Sequence, residues 1–225
     1  MKYIIMCGGK YSSFKKQRPL IEINGESLVN RTIRLLRELE VNDISISTGL
    51  ENNNFDDIGI PVYKFKNTYI SPSYNVSVGY WCDAFLKTNL PVCYLMGDVY
   101  YSKEALKQIV DTKTDDILFF GTDAPYAKCY PKKYQEPLAF KVVNQNKFHE
   151  ACNEFRRLQD LGPEKWPFSR IPISWELAQI IANKPLNKII VRTSIFIGIH
   201  SFATDIDSER EATELEKIVM ENNIN

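Results

Sequence analysis

A glycine pair followed by a cluster of cations is the first feature of the chain that could do chemistry. The apolar run 3–7 ends at Gly8-Gly9, and four cations follow within ten residues: Lys10, Lys15, Lys16 and Arg18. Backbone N–H groups at a glycine turn can approach an anion, and nearby cations neutralise its charge. The segment contains neither the P-loop motif nor the dinucleotide-binding motif. It predicts a site for a polyanion, of which a nucleoside triphosphate is the natural example.

Carboxylates stand at two later points in the chain where a hard cation could bind. Asp98 follows the apolar run 92–96 and a glycine, whereas Asp205 and Asp207 precede a helix whose predicted N-cap is Ser208. The end of a buried strand is where parallel-sheet enzymes place catalytic groups, and short carboxylates suit a Mg²⁺ ion that bridges phosphates. The pattern predicts a metal site formed by Asp98 with Asp207 or, alternatively, with Asp205.

The elements that must position these residues alternate between strand and helix over the first 120 residues. Apolar runs predict strands at 3–7, 92–96 and 117–120, alternation of apolar and polar residues predicts a strand at 44–47, and a further short strand is predicted at 61–65. Helical spacing predicts helices over 28–39, 75–86 and 103–110. This order predicts an α/β fold, with a Rossmann-like, mostly parallel mixed sheet flanked by helices.

The regular alternation ends near residue 121. Beyond it the sequence predicts a strand at 138–143, helices over 147–159 and 174–182, strands at 188–192 and 195–199, and a last helix over 208–220. We expect the segment 121–202 to form an insertion over the strand ends, where open α/β sheets bind their ligands.

Composition excludes several classes of function. The 225-residue chain has a formal net charge of zero, which argues against a broad nucleic-acid-binding face. Its five cysteines are scattered without a C-x-x-C pair, which is typical of a reduced, cytoplasmic protein. The apolar stretch 189–202 is too short to span a bilayer, and we expect no signal peptide and no membrane partner. A monomer or a homodimer is expected.

Taken together and in this order, the motifs resemble those of the nucleotidyltransferase family that makes activated sugars and alcohols from nucleoside triphosphates. Cys7-Gly8-Gly9-Lys10 resembles the nucleotide loop of that family, and the run 18–28 resembles its Lys-Pro-Leu motif, with Arg18 in place of the lysine. Gly97-Asp98 and Ile206-Asp207-Ser208 resemble the segments that carry the two metal ligands. The chain lacks the usual arginine of the nucleotide loop.

One further motif resembles a particular branch of the family. Tyr74-Asn75-Val76-Ser77 is similar to the base-contacting turn of phosphocholine cytidylyltransferase-like proteins. The resemblance implies one nucleotidyltransferase domain of GT-A-like fold over 1–225, with a nucleotide-binding part at 1–120, an acceptor-binding part at 121–202 and the second metal ligand within 203–225.

The resemblance also implies an activity and a set of site residues. It implies Mg²⁺-dependent transfer of a nucleotidyl group, CMP being favoured, from a nucleoside triphosphate to a small phosphorylated acceptor, with release of pyrophosphate and a use in surface or capsule polysaccharide decoration. The implied catalytic residues are Arg18, Lys16 and Asp98. The implied nucleotide contacts are Cys7, Gly8, Gly9, Lys10, Lys15, Asn75, Ser77 and Gly97. The acceptor contacts are expected to be Glu136, Tyr126, Lys128, Arg170 and Trp175.

Two alternatives belong to other functional classes. A GT-A glycosyltransferase that uses a nucleotide-sugar donor would require an Asp-x-Asp motif after the middle strand, and this chain has Asp98-Val99-Tyr100 instead. A non-catalytic nucleotide-binding relative is favoured by the missing loop arginine, and the retention of both metal acids argues against it.

Overall fold

The computed structural model describes residues 1–8, 16–66, 81–122, 135–160 and 173–224. Its centre is a seven-stranded sheet, whose strands are β1 (Lys2–Met6), β4 (Ile44–Gly49), β5 (Val62–Phe65), β6 (Val92–Met96), β8 (Ile117–Thr122), β9 (Pro137–Val142) and β10 (Phe196–Ile199). Their order in the sheet is β10-β8-β9-β6-β1-β4-β5. Six of these strands run parallel to one another, and β9 runs antiparallel to both of its neighbours.

The apolar runs in the sequence form strands because the sheet is covered on both faces. Every residue of β6 is buried, and Ile4 and Ile5 of β1 are fully buried beside it. A strand that is covered on both sides must be apolar at consecutive positions, which explains why these runs do not alternate with polar residues. The expectation of a mostly parallel mixed sheet is confirmed.

Five helices flank the sheet in the described part of the chain. They are α1 (Leu28–Glu38), α2 (Lys103–Asp111), α3 (Gln145–Asp160), α4 (Ser174–Ile181) and α5 (Glu209–Glu221). Three of them begin at a serine N-cap whose hydroxyl accepts a backbone N–H bond from the first turn: Ser27, Ser102 and Ser208. No helix within the described ranges is long and apolar enough to cross a membrane.

Two small antiparallel sheets lie outside the main sheet. One pairs β2 (Glu22–Ile23) with β3 (Glu26–Ser27), and the other pairs β7 (Val99–Tyr101) with β11 (Ala203–Asp205). The second pairing brings the C-terminal part of the chain next to the end of β6, since Asp205 lies opposite Val99 and the amide of Ile206 donates to the carbonyl of Asp98 at 3.0 Å. The sequence did not predict either strand of this pair.

The structure corrects three predictions about secondary structure. Residues 81–84 form a 3-10 helix instead of the end of an α-helix, with Trp81 packed edge-on against Phe85; residues 75–80 lie outside the described residues. The strand predicted at 188–192 is absent, because its backbone groups bond to a side chain instead of a neighbouring strand. Nε2 of Gln179 donates to the carbonyl of Lys188, and the amide of Ile190 donates to Oε1 of Gln179. Segment 121–202 was expected to form an insertion, yet it contributes β9 and β10 to the main sheet.

Candidate active site

The candidate site lies at the carboxyl ends of β1 and β6, which are neighbouring parallel strands. Met6 is in register with Met96, and the amide of Gly97 donates to the carbonyl of Met6 at 3.1 Å. A side chain at Gly97 would overlap that carbonyl and would come within 3.0 Å of the Cys7 sulfur. Glycine is therefore required here, because the chain turns out of β6 directly against the end of β1.

One arginine joins the two predicted metal acids. The Nη1 atom of Arg18 lies 3.3 Å from Oδ2 of Asp98 and 2.8 Å from Oδ1 of Asp207. The three side chains are 19, 22 and 41% exposed, respectively. Asp98 and Asp207 are 80 and 189 positions away from Arg18 in the sequence, yet both contact its guanidinium at a partly exposed position. Among the described residues, these three side chains hold one positive and two negative charges, and carboxylates in such an arrangement can attract a further cation.

The pKa of Asp98 reflects this environment. Burial raises the pKa of the carboxyl group, the Arg18 guanidinium opposes that rise, and the charge of Asp207 adds to it. Ionised Asp98 thus depends on nearby positive charge, which Arg18 supplies and which a bound metal ion would increase.

The second acid is placed by the turn between β11 and α5. Asp207 accepts the hydrogen bond from Arg18, whereas Asp205 occupies the last position of β11. The backbone amide of Asp207 donates to Oε2 of Glu211 at 2.7 Å, and the amide of Glu211 donates to the hydroxyl of Ser208 at 3.2 Å. The first turn of α5 therefore fixes the backbone from which the Asp207 side chain extends. The prediction that Ser208 is the N-cap of this helix is confirmed.

The donor set fits a magnesium ion that is shared with bound phosphates. Mg²⁺ is usually held by one or two carboxylates and completes its octahedron with water and substrate phosphates. Asp98 and Asp207 supply two carboxylates within reach of a single point. Among the residues that the structure describes, no group of three or more His, Cys, Asp or Glu side chains could hold a metal alone.

Of the residues that are predicted to lie around the nucleotide, the structure describes Cys7, Gly8, Lys16, Arg18 and Gly97. Cys7 is buried, its amide donates to the carbonyl of Ser47 at 2.7 Å, and burial together with the charge of Asp98 raises the pKa of its thiol well above the usual value. The thiol is therefore protonated and inert. Lys16 pairs with Glu22 at 3.0 Å on an exposed surface. Five predicted contacts lie outside the described residues: Gly9, Lys10, Lys15, Asn75 and Ser77.

The described acceptor residues are held by packing and backbone bonds. Glu136 is 5% exposed, and its amide donates to the hydroxyl of Thr122 at 2.8 Å, at the edge of the sheet where β8 ends and β9 begins. Trp175, on α4, is 7% exposed and packs edge-on against Phe119, with ring centroids 5.0 Å apart. Both residues lie against Gly121, where a β-carbon would be 3.0 Å from the Glu136 carbonyl and 3.3 Å from the Trp175 ring. Tyr126, Lys128 and Arg170 lie outside the described residues.

A chain of polar side chains that the sequence did not predict lies beside the site. Nδ2 of Asn52 donates to Oε1 of Gln17 at 2.9 Å and to Oγ1 of Thr48 at 2.6 Å, and Oγ1 of Thr48 donates to the carbonyl of Cys7 at 3.1 Å. Thr48 is fully buried. Nothing in the sequence marks these residues, because their partners are 35 and 41 positions away.

Comparison with known proteins connects this geometry to a family. Residues 3–161 match the MobA-like NTP transferase domain. The chain belongs to this family. The predicted resemblance to nucleotidyltransferases is therefore confirmed. A search of curated proteins gave no match.

Solved structures of the same fold include several nucleotidyltransferases. CTP:phosphocholine cytidylyltransferase (LicC) from Streptococcus pneumoniae is 15% identical, with a TM-score of 0.55, over 97% of this chain and 98% of that chain. The inositol-1-phosphate CTP transferase from T. maritima is 13% identical, also with a TM-score of 0.55, over 97 and 96%. HddC from Yersinia pseudotuberculosis, complexed with GMP-PN, is 12% identical, with a TM-score of 0.55, over 96 and 98%. At these identities the comparison shows a shared fold, that of the nucleotide-diphospho-sugar transferases.

The site combines residues from the region that matches the MobA-like domain with a residue from the segment that follows it. Arg18 and Asp98 lie inside residues 3–161, whereas Asp207 lies beyond them on the segment that β11 joins to β7. The arrangement can neutralise and align two phosphate groups, and it offers an oxygen-lined position for a hard cation.

Proposed function

We propose that this MobA-like protein is a Mg²⁺-dependent nucleotidyltransferase that transfers CMP from CTP to a small phosphorylated acceptor and releases pyrophosphate. The observation that carries the proposal is the meeting of Asp98 and Asp207 on one guanidinium at the carboxyl edge of the sheet. Surface polysaccharide decoration is the proposed use of the product, since that was the role implied by the family resemblance.

The chemistry requires neutralisation and alignment of phosphates more than it requires a base. An oxygen of the acceptor phosphate attacks the α-phosphorus of the nucleotide, the bond to the β-phosphate oxygen breaks, and pyrophosphate leaves with that electron pair. The attacking oxygen is already anionic at neutral pH, so no proton has to be removed. The main task of the protein is to hold two anions in line and to offset their repulsion.

The proposed roles of the charged residues follow from that task. Asp98 and Asp207 would hold Mg²⁺, which supplies a positive charge to the reacting phosphates. Arg18, with Lys10, Lys15 and Lys16, would neutralise the triphosphate. The guanidinium is suited to that role because its planar group can donate two hydrogen bonds at once to phosphate oxygens.

The proposed substrates follow from two further observations. Two of the compared structures are CTP-dependent enzymes, and Asn75 and Ser77 resemble a base-contacting turn, which favours CTP. The acceptor would bind toward Glu136 and Trp175, with Tyr126, Lys128 and Arg170 as further contacts. A carboxylate beside aromatic rings suits a cationic or hydroxylated headgroup.

Pyrophosphate release tests the proposal. Purified protein is incubated with Mg²⁺, each of the four nucleoside triphosphates, and a panel of phosphocholine, phosphoethanolamine, inositol phosphate and sugar 1-phosphates. We expect release with CTP and at least one acceptor, and loss of release when EDTA is added. Absence of release over the whole panel, with no rise in melting temperature on adding a nucleotide, would contradict the proposal. A rise in melting temperature without release would point to a non-catalytic nucleotide-binding protein.

A further inference from the structure

Cys7 and Gln17 are the described residues that flank the predicted triphosphate cations Lys10, Lys15 and Lys16. Cys7 directly follows β1, and Gln17 directly precedes Arg18. Both residues are bonded to the region at the end of β4: Thr48 donates to Cys7 at 3.1 Å, and Asn52 donates to Gln17 at 2.9 Å. A third hydrogen bond, from Asn52 to Thr48 at 2.6 Å, closes the chain between the two residues.

The Asn52 amide is fully used in this arrangement. Its two N–H groups donate to Gln17 and to Thr48, and its Oδ1 accepts from the backbone amide of Asn54 at 3.2 Å. The last bond fixes which way the amide points, because only the oxygen can accept from a backbone N–H. An alanine at this position would break all three bonds and would leave the buried hydroxyl of Thr48 without its donor.

Gln17 leads directly to the charged cluster. The carbonyl of Gln17 accepts from the amide of Leu20 at 2.8 Å and so begins the short helix Arg18–Leu20. The side chain of Arg18 then reaches Asp98 and Asp207. The bond from Asn52 therefore sets the position of the residue from which the Arg18 backbone departs.

We propose that Asn52 and Thr48 are positioning residues for nucleotide binding, which hold Cys7 and Gln17, and through Gln17 the backbone of Arg18, at a fixed separation. The proposal rests on the proposed function, since it assumes that Arg18 binds a triphosphate. Neither Asn52 nor Thr48 touches the substrate. Their effect is to hold Arg18 in the position that binding requires, so their loss weakens nucleotide affinity and leaves the chemical step largely unchanged.

The test compares four variants whose side chains are matched in pairs. Asn52→Ala removes the link, and Asn53→Ala is its control, since Asn53 is the next residue and its Oδ1 instead accepts from Lys64 at 2.6 Å. Thr48→Val removes the hydroxyl and preserves the shape, whereas Thr48→Ser retains the hydroxyl. Nucleotide affinity is measured by calorimetry with CTP and Mg²⁺, and KM and kcat are measured from pyrophosphate release.

We expect Asn52→Ala and Thr48→Val each to raise the Kd and KM for the nucleotide about fivefold, which corresponds to the loss of one net hydrogen bond. Both variants should keep kcat within about twofold of the wild type, and Asn53→Ala and Thr48→Ser should bind normally. The double variant Asn52→Ala/Thr48→Val should be no weaker than the weaker single variant, because both substitutions break one chain of bonds.

The outcomes separate this inference from the proposed function. If the wild type binds and turns over CTP but Asn52→Ala binds as tightly as Asn53→Ala, the positioning role is wrong and the proposed function stands. A fall in melting temperature of Asn52→Ala at unchanged nucleotide affinity would show a structural role only and would also overturn the inference. A wild type that binds no nucleoside triphosphate would overturn both. If Thr48→Val does not fold, the nucleotide affinities of Asn52→Ala and its control Asn53→Ala test the positioning role on their own, since Asn52 is only partly buried.

Discussion

The two sides of the sheet edge that carries the candidate site are built in different ways. On the side of β1 and β6, opposite charges from distant parts of the chain meet at a point that remains partly open: Arg18, Asp98 and Asp207. On the side of β8 and β9, Glu136 and Trp175 are almost completely covered. Trp175 has aromatic neighbours there, which are Phe119 at 5.0 Å and Phe196 at 6.3 Å between ring centroids.

We propose that the partly open residues bind a ligand and that the covered residues form the wall behind it. Arg18, Asp98 and Asp207 carry two negative charges and one positive charge between them, and their partial exposure gives a cation access to the carboxylates. A tryptophan packed edge-on in a core gains its energy from burial and ring contact, and it needs no ligand. We therefore expect substitutions on the first side to affect turnover, and those on the second side to affect acceptor binding or stability.

The largest effect is expected from Asp98→Asn, on the side of β1 and β6 where Arg18, Asp98 and Asp207 meet. Loss of a carboxylate that holds the reacting phosphates through a cation should lower kcat by roughly 10²- to 10³-fold. The fold should persist, because burial raises the pKa of Asp98 and a neutral amide avoids that desolvation cost. Pyrophosphate release and thermal unfolding measure the two effects. Asp111→Asn, at an exposed position on α2, is the control. A fully active Asp98→Asn would contradict the expectation that substitutions on the charged side affect turnover.

Much of the charged side was predictable from the sequence because its residues follow recognisable strand ends. Asp98 comes after an apolar run and a glycine, and Asp207 comes before a serine N-cap. The contact between Asp207 and Arg18 could not be predicted from the sequence, since it depends on the pairing of β11 with β7. That pairing is between three-residue strands about a hundred positions apart, and such short strands leave no periodic signal.

The other side was less predictable because composition does not distinguish a ligand wall from a core. Trp175 is an aromatic residue in the segment that is expected to bind the acceptor, and the structure places it in the hydrophobic core. The strand expected at 188–192 was wrong for a related reason: a buried glutamine on α4 takes backbone bonds that a sheet neighbour would otherwise make. Long-range polar contacts of this kind, like those of Asn52, follow from tertiary packing and not from local pattern.

A smaller effect is expected from Glu136→Gln, which tests whether the covered side contacts the acceptor at all. If the carboxylate binds the headgroup, its loss should raise the KM for the acceptor about five- to tenfold and leave the KM for the nucleotide unchanged. Steady-state kinetics with each substrate varied in turn measures the effect, with Glu150→Gln, at an exposed position on α3, as the matched control. Equal acceptor KM values for the two variants would show that Glu136 has a structural role and does not bind the acceptor.

Mn²⁺ binding followed by electron paramagnetic resonance tests whether Asp98 and Asp207 form one cation site. The titration compares the wild type with Asp207→Asn and with Asp205→Asn, which differ only in which of two nearby acids is neutralised. Loss of even an outer-shell partner typically weakens metal binding about 10- to 100-fold, so loss of a direct ligand should weaken it at least about tenfold. We expect that weakening for Asp207→Asn and an affinity within about twofold of the wild type for Asp205→Asn. Wild-type affinity in Asp207→Asn, or a loss confined to Asp205→Asn, would contradict this expectation.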